Sequence, residues 1–320
     1  MITLSTLASL LICAQVAQEH KEDLPPPITA ITPQVIQEGV DYLSDDSLYG
    51  RYWLSPFAQQ AAEWIRDQLQ EAGVEPGAAD GSWFQSTNTK DAAPNVIGII
   101  RGTDPAAGVV IVGAHYDHLP PKRRGDDKIY NGADDNASGT VGMIAIARAL
   151  VPLKSKLKSS VMLIGFTGEE AGLKGSKYFV KNTPVPLDSI RGLFNLDMIS
   201  RGEENVIFID GAREAPDVIR VLRKANEKVG LDLRVDEHPD WLTRSDQWPF
   251  LRRGVQAVLF SVEDHEDYHR VTDHADRIIA SLAARVSQLV AIAVLDLASE
   301  KKVGSPSPES ATSPAKDPAP

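Results

Sequence analysis

Four apolar runs in this chain stop at residues able to hold a divalent cation. Val109 to Ala114 leads into His115-Tyr116-Asp117-His118, and Val161 to Thr167 into Gly168-Glu169-Glu170. Leu193 to Leu196 leads into Asp197, and Ala257 to Val262 into an acidic stretch that reaches Tyr268-His269. A fifth segment, residues 131–139 (NGADDNASG), is rich in turn formers and opens a helix. Imidazoles and carboxylates suit zinc, and a carboxylate can bridge two ions. Two divalent ions about 3.5–4 Å apart can clamp the attacking and the leaving oxygen of a hydrolysis. A single aspartate at a strand end is commonly a cap or a turn former. The joint occurrence of these segments is what points to metal-assisted hydrolysis.

Other chemistries lack their residues. The only cysteine, Cys13, lies in an apolar N-terminal segment, which leaves no thiol for a nucleophile, a zinc-thiolate site or a disulfide once that segment is cleaved. No Walker-type phosphate loop and no G-x-S-x-G elbow is present. The net charge of -11 opposes a phosphate backbone, so nucleic acid is not an expected partner.

Positioning these residues requires strands and helices in alternation. Ala58, Ala62, Ile65 and Leu69 recur at helical spacing, with Gly73 placed as a C-terminal cap. Val96 to Ile100, Val109 to Val112, Val161 to Phe166, Leu193 to Leu196, Val206 to Ile209 and Ala257 to Phe260 read as buried strands. Helices are expected over Ser138 to Leu150, about Ala215 to Val229 and about Ala275 to Leu297. This order predicts an α/β sandwich with a largely parallel sheet covered on both faces. Ligands of such sheets bind beyond the carboxyl ends of the strands, where the polar segments fall.

The 320 residues, 42% of them hydrophobic, suffice for one large core with extensions. Met1 to Ala17 reads as a signal peptide, too short to span a bilayer comfortably, although no Lys or Arg precedes its apolar run. Residues 18–32 read as a Pro-rich linker, 33–300 as the catalytic domain, and 301–320 as a disordered Ser/Pro/Ala-rich tail. A secreted or periplasmic protein without a stable membrane span after cleavage is therefore expected.

In their order, HYDH, NGADDNASG, FTGEEAGLKGS, NLDMIS and DYHRVTDH make the chain resemble the zinc aminopeptidases of peptidase family M28, from roughly Tyr42 to the last helix. Leu48-Tyr49-Gly50-Arg51 also looks like the family's N-terminal pattern. The resemblance implies a three-layer α/β/α sandwich with a mixed, mostly parallel central sheet, the zinc-dependent exopeptidase fold. It implies two Zn2+ ions per chain, held by His115, Asp135, Glu170, Asp197 and His269, with Asp135 bridging and followed by a cis peptide.

By the same resemblance, Glu169 is the general base that takes a proton from a metal-bound water, and Tyr268 a phenol that stabilises the oxyanion. Asp117 is the hydrogen-bond partner of the His115 imidazole. Asp246 and Trp248 are candidate substrate contacts, and Trp241 with Trp248 could wall a side-chain pocket; Gln247 departs from the His or Tyr of many relatives. Asp134 is expected to hydrogen-bond within its loop, His118 to be solvated or to line the cleft, and Asp273 and His274 to start a helix. The implied activity is hydrolysis of the N-terminal bond of peptides or proteins. The alternatives are another hydrolase of this type, a carboxypeptidase or amide hydrolase, and a single-metal acyltransferase like the glutaminyl cyclases. The full ligand set and Glu169 argue against the last.

Overall fold

A computed structural model describes residues 24–300. The expected signal peptide and the expected C-terminal tail lie outside the described residues. Residues 24–32, read as linker, instead form a helical turn at Pro26–Thr29 and pack on the core, with Ile28 and Ile31 buried.

The helices begin where side chains can replace missing backbone partners. Helix α1 (Pro33–Leu43) starts with Pro33 after Thr32, whose hydroxyl accepts the amide of Val35. Helix α2 (Pro56–Glu71) repeats the device with Ser55 and the amide of Ala58. In both, the fixed φ of proline suits the first helical position and the hydroxyl caps a free N–H.

The strands are β1 (Glu75–Pro76), β2 (Phe84–Gln85), β3 (Asn95–Ile100), β4 (Val109–His115), β5 (Ser160–Phe166), β6 (Ile190–Leu196), β7 (Val206–Asp210), β8 (Asp232–Val235) and β9 (Ala257–Ser261). They form one mixed sheet in the order β1-β3-β5-β4-β6-β9-β7-β8, with β2 also on β3. Pairing is parallel through the centre, β5-β4-β6-β9, and again at β7-β8; it is antiparallel at β3-β5 and β7-β9.

Alternation along the central strands serves two apolar layers. Val110, Val112 and Ala114 of β4 face a thick layer built from α1, α2, α3 (Gly139–Leu150), α5 (Pro216–Val229) and α7 (Ala280–Ser299). Val109 and Ile111 face a thinner layer that includes Phe179 and Phe250, on the short helices α4 (Lys174–Phe179) and α6 (Gln247–Leu251). The three-layer sandwich is thus as expected. Helix α7 and the segment 133–156 are long and apolar enough to cross a membrane, but 72% and 83% of their apolar windows are buried inside the protein. They are core helices.

Parallel registry sets the site. His115 pairs with Phe166, Gly113 with Asn195 and Leu196 with Phe260, so β4, β5, β6 and β9 end at one rim. The last helix begins at Ala280, later than the expected Ala275, because residues 275–277 form a separate 3-10 turn.

Candidate metal centre

The sheet rim gathers His115, Asp135, Glu169, Glu170, Asp197, Tyr268 and His269 around one cleft of about 360 Å³. His115 is the last residue of β4; the two glutamates follow β5 and Asp197 follows β6. Asp135 comes from the turn before α3, and His269 from the long connection after β9.

Asp135 stands between two imidazoles. Its Oδ1 is 3.4 Å from Nε2 of His115, and its Oδ2 is 3.2 Å from Nε2 of His269. Nε2 of His115 is 3.0 Å from Oδ1 of Asp197, and Nε2 of His269 is 3.3 Å from Oε2 of Glu170. Zinc bonds of about 2.0–2.1 Å give a tetrahedron edge of about 3.3 Å. Each of the four spacings is close to such an edge, with Asp135 common to both imidazoles, and the donors, all imidazole or carboxylate, are those zinc accepts.

The second trio has a competitor. Nδ1 of His118 lies 2.7 Å from Oε1 of Glu170 and 3.7 Å from Oδ2 of Asp135, so His118, Asp135 and Glu170 could also surround a cation. The 2.7 Å contact is shorter than a tetrahedron edge and has the length of a hydrogen bond. His118 is therefore the partner that orients Glu170, and it is fully buried, not solvated and not among the residues lining the cleft.

The loop carrying Asp135 is pinned from several sides. Its peptide bond to Asn136 is cis. The Asp273 carboxylate accepts the amides of Asp134 and Asp135. Asn136 donates to the carbonyl of Leu196 and accepts the amides of Gly139 and Met198, which ties this loop to the exit of β6. The Asp134 carboxylate, expected to bond within its loop, instead accepts from the amide and the hydroxyl of Ser200, in the segment after β6. A side chain at Gly132 would strike the carbonyl of Asp135 and the ring of His118, and its φ of 60° is left-handed. Arg51, fully buried, donates to the carbonyls of Leu43, Tyr116, Asn131 and Gly132. Burial pulls its guanidinium down to about 10 while Asp273, Asp135, Asp117 and Glu170 oppose that.

Three expected contacts turn out differently. Nδ1 of His115 is 3.1 Å from the backbone carbonyl of Asp117, whereas the Asp117 carboxylate is 3.9 Å away. That carboxylate accepts the amide of Glu169 instead, so Asp117 orients the imidazole through its main chain and the glutamate turn through its side chain. Trp248 does not line the metal cleft; it borders an adjoining cavity, while Trp241 lines the cleft itself. Asp246 is fully buried beneath the site and does not line the cleft, so its side chain is unsuited to direct substrate contact. Burial pushes it up to about 7, against the pull of His115.

The adjacent glutamates are driven apart. Burial raises Glu169 well above the carboxylate range against the pull of His115, with Asp197, Asp246 and Glu170 adding to the rise. Glu170 also meets the cost of burial and the charge of Asp135, but hydrogen bonds from His118 and His269 bring it below its usual value. Two carboxyl groups with opposed shifts can take different roles, one accepting and passing on a proton and the other holding a cation. The Tyr268 ring stacks on His269 at 4.0 Å between centroids, and its oxygen lies 3.3 Å from the Arg244 guanidinium. Burial and Asp135 raise its phenol above the ordinary value, so it remains a donor.

His118, Asp273, Arg51 and Arg244 are the functional residues that sequence reading did not assign. Arg51 and Asp273 lie inside segments singled out for their motifs, but only the fold shows which main-chain atoms they hold.

Leucine aminopeptidase 1 of Trichophyton rubrum is 30% identical over 176 residues, 53% of this chain and 46% of its own length. Aminopeptidase YwaD of Bacillus subtilis is 30% identical over 228 residues, 67% of this chain and 47% of its own. The chain thus spans about half the length of the curated relatives it matches. The crystal structure of the LapA aminopeptidase of Legionella pneumophila shares the fold, with a TM-score of 0.74 at 19% identity over 88% of this chain and 76% of that one. The family model for peptidase family M28 matches residues 95–294, from the start of β3 into α7, and so takes in every residue of the cation cluster. With more than half of its length matched by that model, the chain belongs to peptidase family M28.

Proposed function

We propose that this protein is a di-zinc aminopeptidase that hydrolyses the first peptide bond of substrates with a free N-terminus. The observation that carries the reading is Asp135, whose two oxygens face His115 and His269 at tetrahedral spacing beside a glutamate, Glu169, whose proton affinity is raised by burial. Relatives named leucine aminopeptidase and zinc aminopeptidase support the same choice.

His115, Asp135 and Asp197 would hold one ion, and Asp135, Glu170 and His269 the other. When bound, the ions supply Lewis acidity, polarising the scissile carbonyl and lowering the pKa of water towards ~7. Glu169 takes the proton of the attacking water at its carboxylate and delivers it to the leaving amine. The Tyr268 hydroxyl, directed by Arg244, donates to the developing oxyanion. Leu173, Met198, Trp241 and Leu259 give the cleft an apolar wall for the first side chain, and its carboxylates suit an α-ammonium group.

Hydrolysis of leucyl peptides and their N-acetylated forms by the zinc-loaded protein, with products identified by mass, tests this reading. Release of free leucine from unblocked peptides only is expected. Cleavage from the C-terminus, or conversion of N-terminal glutamine to a lactam, would overturn it. We also propose export, on the strength of Met1 to Ala17; an exported chain beginning near Gln18 is expected from N-terminal sequencing.

A further inference from the structure

Beside the metal cleft lies a second cavity of about 240 Å³, bordered by Lys177, Lys181, Arg252, Arg253, Trp248 and Pro249. Its charge runs against that of the protein, which is -11 overall. Among the described residues, the side chains of Lys181, Arg252 and Arg253 make no salt bridge or hydrogen bond. The four cations, all exposed, give this cavity a locally positive potential that attracts an anion, and Trp248 offers a flat apolar wall beside them. Lys177 borders both cavities, and its ammonium is fixed on the carbonyl of Gly172 at 3.0 Å. Gly172 belongs to the turn that follows Glu169 and Glu170. The two cavities are therefore neighbours across one lysine.

We propose that this basic cavity is a carboxylate subsite for the part of the peptide that leaves, so that substrates carrying an anionic group after the scissile bond are preferred. The inference rests on the aminopeptidase reading, which puts the N-terminal residue at the metal cleft; the neighbouring cavity across Lys177 is then the one offered to the part that leaves. The carboxylate can be the free C-terminus of a short peptide or an Asp or Glu side chain. Both present two oxygens to guanidinium and ammonium donors.

Three peptides separate the sources: Leu-Ala-Ala-Ala as free acid, the same peptide as C-terminal amide, and Leu-Ala-Glu-Ala amide. With the zinc-loaded full chain at low salt, kcat/KM for at least one carboxylate peptide is expected to exceed that of the neutral amide about fivefold, the scale of a few part-exposed ion pairs. The carboxylate that carries the advantage identifies the source. Substituting Lys181→Gln, Arg252→Gln and Arg253→Gln together is expected to bring that ratio to about one, as is salt near 1 M. Equal rates for all three peptides, or a preference that survives the triple substitution, would overturn the subsite.

A binding arm keeps this result separate from the activity. On chelator-stripped protein, calorimetry compares acetyl-Ala-Ala-Ala acid with its amide. Tighter binding of the acid, lost in the triple variant, upholds the subsite even if leucine anilide is never cleaved, in which case the aminopeptidase reading alone fails. Cleavage of the anilide without any preference for the acid rejects the subsite and leaves that reading standing.

Discussion

Nδ1 of His118 stands 2.7 Å from Oε1 of Glu170. The contact occupies one carboxylate oxygen and leaves Oε2 turned to His269. Partners that orient a metal ligand typically change metal affinity 10–100-fold when removed. His118→Leu is therefore expected to weaken one of the two proposed zinc sites by about that factor and to leave the other near its original affinity, as read by competition with a chromophoric chelator. Unchanged affinity at both sites would show that Glu170 needs no such partner.

Glu169 shares the cleft with the ligands, and burial raises its affinity for a proton, whereas hydrogen bonds from His118 and His269 lower that of Glu170. Glu169→Gln is expected to retain zinc and to lose about 10²–10⁴-fold in kcat, the scale of general acid–base catalysis. A variant within fivefold of the parent would remove Glu169 from the proton path.

The histidines make stability depend on pH and metal together. Burial lowers His269, but Asp135 and Glu170 outweigh it and bring the imidazole to about 10; His115 is likewise raised well above its ordinary value by its carboxylates. A raised folded-state pKa stabilises the fold fully below the unfolded value near 6.5, and that contribution is lost as pH climbs towards 10. The metal-free protein should thus unfold at a lower temperature at pH 9 than at pH 6.5. Zinc must displace the same protons, so its affinity rises with pH. The gain in Tm on adding zinc is expected to be larger at pH 9 than at pH 6.5 in thermal melts. A gain that shrinks with pH would contradict the coupling.

Arg51 is a buried cation whose donors all end on main-chain carbonyls. Arg51→Met removes the charge but strands those carbonyls and the carboxylates around them. A loss of about 3–5 kcal/mol in urea unfolding is expected, the scale for breaking a buried charged network. A loss under about 1 kcal/mol would mean that water replaces the guanidinium freely.

What sequence reading captured and what it missed divide along physical lines. The central strands are almost wholly buried runs, and their ends carried the polar residues to the expected rim, so the five ligand candidates converge. The edge strands β1 and β2 have two residues each, and β8 is half exposed, so none carries a hydrophobic period to read. Helices α4 and α6, of six and five residues, are too short for a helical period to be distinctive. Residues 24–32 read as a linker because of their prolines, yet Leu24, Ile28 and Ile31 are buried and dock them on the core. The work of Asp273 was hidden for another reason: it accepts amides 138 and 139 positions away, a contact made by the fold alone.

The pair of cations is the centre of the account, and diffraction from crystals of the zinc-loaded protein, collected on both sides of the zinc absorption edge, addresses it directly. Two anomalous peaks about 3.5–4 Å apart are expected, one against His115 and Asp197, the other against Glu170 and His269, with Asp135 touching both. A single peak, or peaks away from Asp135, would contradict it.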